Sequence, residues 1–316
     1  MGEIGYFLSS EEHPGSALVR AARQAEEAGF ASAWISDHYH PWTDEQGESS
    51  FVWCVIGGIA ATTDLRLTTG VTCPTVRIHP AVMAQAAATA AEMMPGRFRF
   101  GLGTGENLNE HILGDHWPPA PVRLEMLEEA VEIMRRLWTG SMVNHHGRHY
   151  RVENARIYSL PDEPPPVPIS AFGPKALGLA ARIGDGFVST SPEAEMLQRY
   201  RAEGGTGPAM AGMKVCWATD EAAARRTAHR LWAQAGIPGE LSQELRTPAQ
   251  FEQASSLVTE DQVADSIVCG PDPERHVAAI EQYFEAGFDE VYVCQVGDDQ
   301  DGFFDFYRTE LRPRLT

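Results

Sequence analysis

Residues 4–42 read IGYFLSSEEHPGSALVRAARQAEEAGFASAWISDHYHPW. The apolar run Ile4–Leu8 predicts a strand. Ser16–Gly29 predicts a helix, because Leu18, Ala21, Ala22, Ala25 and Ala28 recur on one face and Gly29 is a stop signal. Ala33–Ile35 predicts a second strand. Each strand runs into polar residues, Ser9-Ser10-Glu11 after the first and Asp37-His38 after the second. A strand, a helix and a second strand in so short a space form the unit of a parallel sheet.

The alternation continues. Phe51–Thr62 and Pro80–Met93 predict helices on either side of a third strand, Leu65–Val71, and Phe98–Leu102 predicts a fourth. Arg123–Trp138 is a strongly amphipathic helix, with Leu124, Leu127, Ala130, Val131, Met134 and Leu137 on one side. Residues 139–166 break the rhythm. Met142–Val152, centred on Gly147, predicts a β-hairpin, and Glu163–Val167 is proline-rich. The pattern then resumes with strand Val167–Ala171, helix Pro174–Ile183, strand Gly186–Ser189, helix Ala194–Glu203, strand Met213–Ala218 and helix Glu221–Ala235. A mixed insertion fills 236–265, followed by helix Pro273–Ala286, strand Glu290–Cys294 and a closing helix, Phe303–Leu311.

Eight strand–helix units predict one α/β domain over residues 1–316: a (β/α)₈ TIM barrel with insertions after strands four and seven. An open doubly wound sheet makes the same alternation. The barrel demands that chemistry follow the strands, because active sites lie at their C-terminal ends. The sequence meets the demand with Ser9-Ser10-Glu11, Asp37-His38, Thr72-Cys73-Pro74-Thr75, Thr104-Gly105-Glu106-Asn107-Leu108-Asn109, Phe172-Gly173-Pro174-Lys175 and Thr190-Ser191.

Composition narrows the function classes. The 316 residues are 43% hydrophobic and 22% charged, as expected of a soluble globular protein. No apolar run approaches the ~18–20 residues of a membrane span, and no basic segment followed by an apolar stretch opens the chain, so a cytoplasmic protein is expected. A net charge of −19 without a Lys/Arg cluster argues against nucleic-acid binding. Lysine occurs only as Lys175 and Lys214, so an anion site must rely on Arg, backbone N–H groups or one of these two. Cys54, Cys73, Cys216, Cys269 and Cys294 are odd in number, widely spaced and free of C-x-x-C, which fits neither structural zinc nor a disulfide framework.

Four stretches carry candidate chemistry. In SDHYHPW, residues 36–42, an imidazole beside a carboxylate is a proton acceptor near neutral pH, and a polar loop turned by Pro41 explains the same residues. Metal is not expected, because His38-x-His40 follows the second strand and no His or Lys ends strand four or six. In GLGTGENLNE, residues 101–110, the glycines resemble a dinucleotide turn but lack the G-x-G-x-x-G spacing; Glu106 is either an acid/base group in a closed pocket or a solvated loop acid. In residues 68–98, Gly70 ends a strand and small residues fill the next helix, which scaffolding explains for the most part. In SAFGPK, residues 170–175, a strand end, a glycine and a helix start with a lysine make an anion cradle or a capped helix.

Taken together, SDHYHPW, TTGVTCPT with HPAVMAQA, GTGENLNE and GDGF with its following TS resemble the deazaflavin-dependent branch of the luciferase-like superfamily, its F420-dependent sugar-phosphate dehydrogenases above all. The resemblance runs in order through nearly the whole chain. It implies a (β/α)₈ barrel, a homodimer, coenzyme F420 as cofactor and a small-molecule substrate. It implies that His38 takes a hydroxyl proton, that Trp42 packs near the reacting carbon and that Glu106 handles the proton of the cofactor ring. It places Asp37, Gly70, Val71, Cys73, Thr104, Gly105 and Asn109 on the cofactor, with a cis peptide at Gly70–Val71, and puts Phe172, Gly173, Lys175 and Ala176 on its phosphate-bearing tail. Cys73 stands where the sugar-phosphate enzymes have Thr.

Substrate residues expected on the same basis are Glu11, Thr190 and Glu193. Of the group that holds a sugar phosphate, Thr190 is kept, Glu193 replaces a Lys, and by a looser alignment Ser242 and Asp265 replace a Lys and an Arg. Loss of these cations repels a dianion. The expectation is a hydride transfer between an alcohol or unphosphorylated sugar carbon and C5 of the deazaflavin. An FMN-dependent monooxygenase or reductase on the same barrel, or a non-catalytic flavin-binding protein, are the competing readings.

Overall fold

The computed structural model describes residues 2–315. Its strands are β1 (Glu3–Leu8), β2 (Ser32–Ile35), β3 (Arg66–Thr69), β4 (Phe98–Arg99), β5 (Val143–His146), β6 (Arg151–Ala155), β7 (Pro168–Ser170), β8 (Gly186–Ser189), β9 (Ala209–Cys216), β10 (Val268–Cys269) and β11 (Glu290–Gln295). Eight of them run in the order β4-β3-β2-β1-β11-β9-β8-β7, every neighbouring pair parallel. Leu102 closes the ring, with parallel bridges to Thr72 on one side and Ile169 on the other. The expected (β/α)₈ barrel is the observed one.

The helices form because their apolar residues recur at helical spacing and must be covered. Leu18, Ala21, Ala22, Ala25 and Ala28 of helix Gly15–Ala28 are buried against the barrel, and Gly29 ends the helix at φ 98°, a left-handed conformation suited to glycine. Helix Ala120–Leu137 buries Leu127, Ala130, Val131, Met134 and Leu137 in the same outer core. Inside the barrel, Trp34 stacks on Tyr292 (4.5 Å between centroids, 12°) and Phe7 meets Trp34 edge-on. At the end where the strands begin, Arg99 bridges to Glu290 at 2.8 Å. The barrel is a filled core, so a site can open only at the ends of the strands.

Several boundaries depart from expectation. The seventh barrel strand begins at Ala209 rather than Met213. Ala209-Met-Ala-Gly212 has no β-branched residue, so strand propensity misses it. Packing requires it nonetheless, since a Cβ on Gly212 would lie 2.8 Å from the Trp34 ring. The fourth strand is regular only over Phe98–Arg99. Gly101 and Gly103 follow, where added Cβ atoms would sit 2.0 Å from the Thr69 carbonyl and 2.7 Å from Val71, so the backbone approaches its neighbour more closely than side chains permit. The third strand spans 66–69 rather than 65–71, and the peptide bond Gly70–Val71 is cis. The hairpin extends to Ala155. A further strand, β10, extends the insertion and pairs with the end of β9; two residues are too short to show a pattern. Phe303, Phe304, Phe306 and Tyr307 are buried core, and their helix spans Gln300–Phe306 with a wider turn to Leu311. All five cysteines are free, and all but Cys54 are buried. Among the described residues, no helix is long and apolar enough to cross a membrane.

Candidate active site

The segments after β1, β2, β3 and β4 lie side by side because their strands are consecutive in the ring. His38 stands at their centre, with Nε2 3.3 Å from Glu11 Oε1. Glu11 is buried and accepts from the hydroxyls of Ser36 (2.5 Å) and Ser9 (3.1 Å). Burial alone would raise its carboxyl. The charges of His38 and Lys214, the Ser36 hydroxyl and a backbone N–H outweigh burial and hold it below the usual range.

The other side of the ring is set by Asn109. Its Oδ1 accepts the backbone N–H groups of Tyr39 (2.9 Å) and His40 (3.2 Å). That orients Nδ2 toward His38 Nδ1 at 3.1 Å and Glu106 Oε2 at 3.2 Å. Glu106 and His38, 68 positions apart, thus meet through one amide. His38 Nδ1 also lies 3.2 Å from the His40 carbonyl. This atom therefore faces a donor that suits its lone pair and an acceptor that suits its N–H, the latter present in one neutral tautomer and in the imidazolium. Trp42 packs on the imidazole at 5.0 Å between ring centroids.

Beneath this group lies a buried charge cluster. Asp37 accepts from Thr72 Oγ1 at 2.7 Å and from Arg77 Nη2 at 2.9 Å. Arg77 also lies 3.7 Å from Glu110, which accepts the N–H groups of Arg77 (2.7 Å) and Val76 (3.3 Å). Burial pushes Glu110 up to about 7 despite Arg77, with Asp37 and Glu106 adding to the rise. Cys73 is buried beside these acids, and burial, reinforced by Glu110, Glu106 and Asp37, drives its thiol well above its ordinary value; it stays neutral. Gly105 takes φ 87° next to Glu110, where a Cβ would fall 2.8 Å from the Glu110 side chain. Thr104 is half-buried, and Val71 lies against Gly103.

The remaining expected residues follow β7 and β8. Phe172 and Lys175 are exposed. Gly173 precedes helix Pro174–Ile183 without a side-chain cap, and nothing lies within 4 Å of the place a Cβ would take. Pro174 has no N–H to give and that of Leu177 bonds Gly173, which leaves those of Lys175 and Ala176 for a ligand. Thr190 and Glu193 are exposed; the Glu193 carboxylate accepts from Ser191 Oγ at 3.1 Å. Among the described residues, no hydrogen bond joins Thr190 or Glu193 to the His38 network.

Sequence reasoning missed Arg77, Glu110 and Lys214, and it placed Glu11 on the substrate without seeing its bond to His38. An Arg–Glu pair 33 positions apart leaves no local pattern. The scarcity of lysine was a usable signal for Lys214, whose Nζ lies over the Trp232 ring at 4.0 Å. Among the described residues, no group of three or more His, Cys, Asp or Glu could hold a metal ion.

Comparison with known proteins gives a consistent picture. The model of the luciferase-like monooxygenase family matches residues 2–290. The F420-dependent glucose-6-phosphate dehydrogenase of Nakamurella multipartita is 37% identical over 328 residues, covering 99% of this chain and 96% of that relative. Its namesake from Nocardia farcinica is 36% identical over 330 residues, covering 99% and 98%. Among solved structures, an F420-dependent secondary alcohol dehydrogenase in complex with an F420–acetone adduct superposes with a TM-score of 0.91 at 29% identity, covering 100% of this chain and 99% of that one.

Proposed function

The chain belongs to the luciferase-like monooxygenase family, and from that premise we propose that it is a coenzyme F420-dependent oxidoreductase acting on CH–OH groups, with His38 as its base. The observation that carries the reading is the chain Glu106–Asn109–His38–Glu11, which puts a carboxyl and a charge-supported imidazole on one side of the barrel mouth.

The residues present fit the cofactor. Two free N–H groups and Lys175 beside the open Gly173 suit a phosphate-bearing tail. Gly103 and Gly105 leave a floor without side chains, while Thr75 Oγ1 and Glu110 Oε1 are buried polar atoms without a hydrogen-bond partner. Asp37, Gly70, Val71, Cys73, Thr104, Gly105 and Asn109 would line the ring, and Phe172, Gly173, Lys175 and Ala176 the tail. When bound, coenzyme F420 supplies the hydride-exchanging carbon, C5.

The protein manages the protons. With Nδ1–H given to the His40 carbonyl, the neutral ring keeps its lone pair on Nε2, the atom that takes the hydroxyl proton beside Glu11. The ionised Glu11 then holds the imidazolium, as an oriented acid does for a general base. Glu106 holds or releases a proton on the other side of Asn109. Trp42 covers the base and limits water around it.

An alcohol without a phosphate suits the charges. Arg77 is committed to Asp37 and Glu110, and Arg123 to Pro118, Gln243 and Glu244. Glu193 adds an acid after β8, on a chain of net charge −19. A cytoplasmic homodimer completes the reading; exposed Phe51, Val82 and Met93 around the second and third helices support a self-association face.

The test is anaerobic mixing of the protein with oxidised F420 and a panel of alcohols and sugars, with and without phosphate. The expected result is loss of the oxidised chromophore's absorbance with unphosphorylated alcohols. Reduction by sugar phosphates alone would overturn the substrate assignment, and no reduction by any member would overturn the reaction.

A further inference from the structure

We propose that Phe251, in the insertion after β9, determines how large an alcohol the site accepts, by bracing Trp42 against His38. The inference rests on the alcohol-oxidising reading above.

Phe251 sits in helix Pro248–Ser255 and is fully buried. Its ring meets Trp42 edge-on, 5.1 Å between centroids at 79°, and Trp42 in turn lies 5.0 Å from the His38 ring. Trp42 is half-buried, so part of its indole remains open to a ligand. Phe251 shares its apolar cluster with Leu108 and Ile237, with Trp42 and Leu245 packed against it. Leu108 lies two residues beyond Glu106. One phenylalanine therefore packs with residues from both loops that carry the proton-handling groups.

Polar ties hold the same arrangement. The Trp42 backbone N–H donates to Gln46 Oε1 at 2.8 Å, and Gln46 Nε2 donates to the Leu231 carbonyl at 3.0 Å. The Asp44 N–H donates to Glu252, next to Phe251, at 3.0 Å. Asn107 Nδ2 donates to the Glu244 carbonyl at 2.9 Å. The last two bonds tie the two loops to the insertion, and the first two tie the Trp42 backbone through Gln46 to the helix before it. What sets the indole's position between those segments is the volume behind it: the cluster that includes Leu231 and Trp232 on one side, and Phe251 with Leu108 and Ile237 on the side of the insertion. A close-packed contact transmits a loss of volume to its neighbour. Phe251 has no polar atom in its side chain and does not touch His38, so it acts through Trp42 as a positioning residue.

A smaller side chain at 251 lets the indole settle away from His38 and widens the space beside the base. A change of one or two carbons in an apolar pocket shifts discrimination by about 10–200-fold. The full-length protein and its Phe251→Leu and Phe251→Ala variants are compared, each shown folded by thermal melting, on secondary alcohols from propan-2-ol to branched and cyclic members with oxidised F420. The kcat/KM ratio of bulky to small alcohol is expected to rise about tenfold or more, chiefly through KM, with F420 affinity within about twofold. An equal loss for all alcohols in a folded variant overturns the proposal. If the unmodified protein oxidises no alcohol, the function assigned above fails. Binding of the matching ketones to the F420-loaded proteins by calorimetry then decides the inference by itself: a shift of the best-bound ketone toward larger size in the variants supports it, and no shift, or no binding of any ketone, overturns it.

Discussion

The mouth of the barrel has two unlike halves. From β1 to β4 the chemistry-bearing groups are bonded in place before any ligand arrives: Glu11 to Ser36 and His38, Asp37 to Thr72 and Arg77, Glu106 through Asn109 to His38. From β7 to β8 the corresponding segments are open, with Phe172, Lys175 and Glu193 exposed and empty space at Gly173. Proton transfer depends on geometry held to a fraction of an ångström, so the first half is built from groups that hold one another by hydrogen bonds and ion pairs. A charged tail needs only N–H groups, a cation and room, which an uncapped helix start supplies. Substitutions in the first half should therefore carry large effects and those in the second half small ones.

The sharpest test of that contrast is at the proton-handling groups. His38→Ala and Glu106→Gln should each lower kcat/KM by ~10²–10⁴-fold, with the dissociation constant for F420, read by fluorescence titration, within a few-fold. Unchanged turnover in both would break the division.

Next is Glu12, buried beside Glu11. Its carboxylate accepts from Trp232 Nε1 at 2.7 Å and from the Gly297 N–H at 2.8 Å. Burial raises it to about 7 in spite of these bonds. A carboxyl raised in the fold binds protons more readily folded than unfolded. Its stabilising contribution is therefore complete below about pH 4.5 and is lost as pH rises through about 7. Across that window the unmodified protein should lose up to roughly 3 kcal/mol relative to Glu12→Gln, measured by denaturant unfolding at several pH values. Parallel stability curves for the two proteins would show that Glu12 does not titrate there.

The open half should respond weakly. Lys175→Ala should weaken F420 binding about 2–5-fold, the range of one exposed ion pair, with kcat nearly constant and the effect fading at high salt. A loss as large as that of His38→Ala would mean that the tail site closes when occupied. Smallest of all, Glu193→Lys should raise the kcat/KM ratio of phosphorylated to unphosphorylated substrate by about 2–5-fold; no change would place Glu193 outside the reach of the substrate.

Legibility in the sequence divides along similar physical lines. Helix Gly15–Ala28 was readable because burial of one face imposes a period on the residues themselves, and the strand at Gly186–Ser189, buried throughout, as a short apolar run in the alternation of strands and helices. Strand β10 and the first residues of β9 were not, because two residues show no period and Ala, Met and Gly have little preference for strands. At the site, residue types following strands pointed to Asp37, His38, Glu106 and Lys175. Nothing local pointed to Arg77 with Glu110, or to Phe251 behind Trp42, since a contact across tens or hundreds of residues has no signature at either end.

Sequence alone determined the succession of strands and helices, the acidic and lysine-poor surface, and the placing of polar residues after strand ends; each is a property of neighbours in the chain, set by periodicity and composition. Tertiary structure decided that Glu11 belongs to His38, that Asn109 joins His38 to Glu106, and that a distant phenylalanine braces the tryptophan beside them. Those are properties of neighbours in space, and they exist only once the barrel closes through Leu102 and brings the strand ends to one rim.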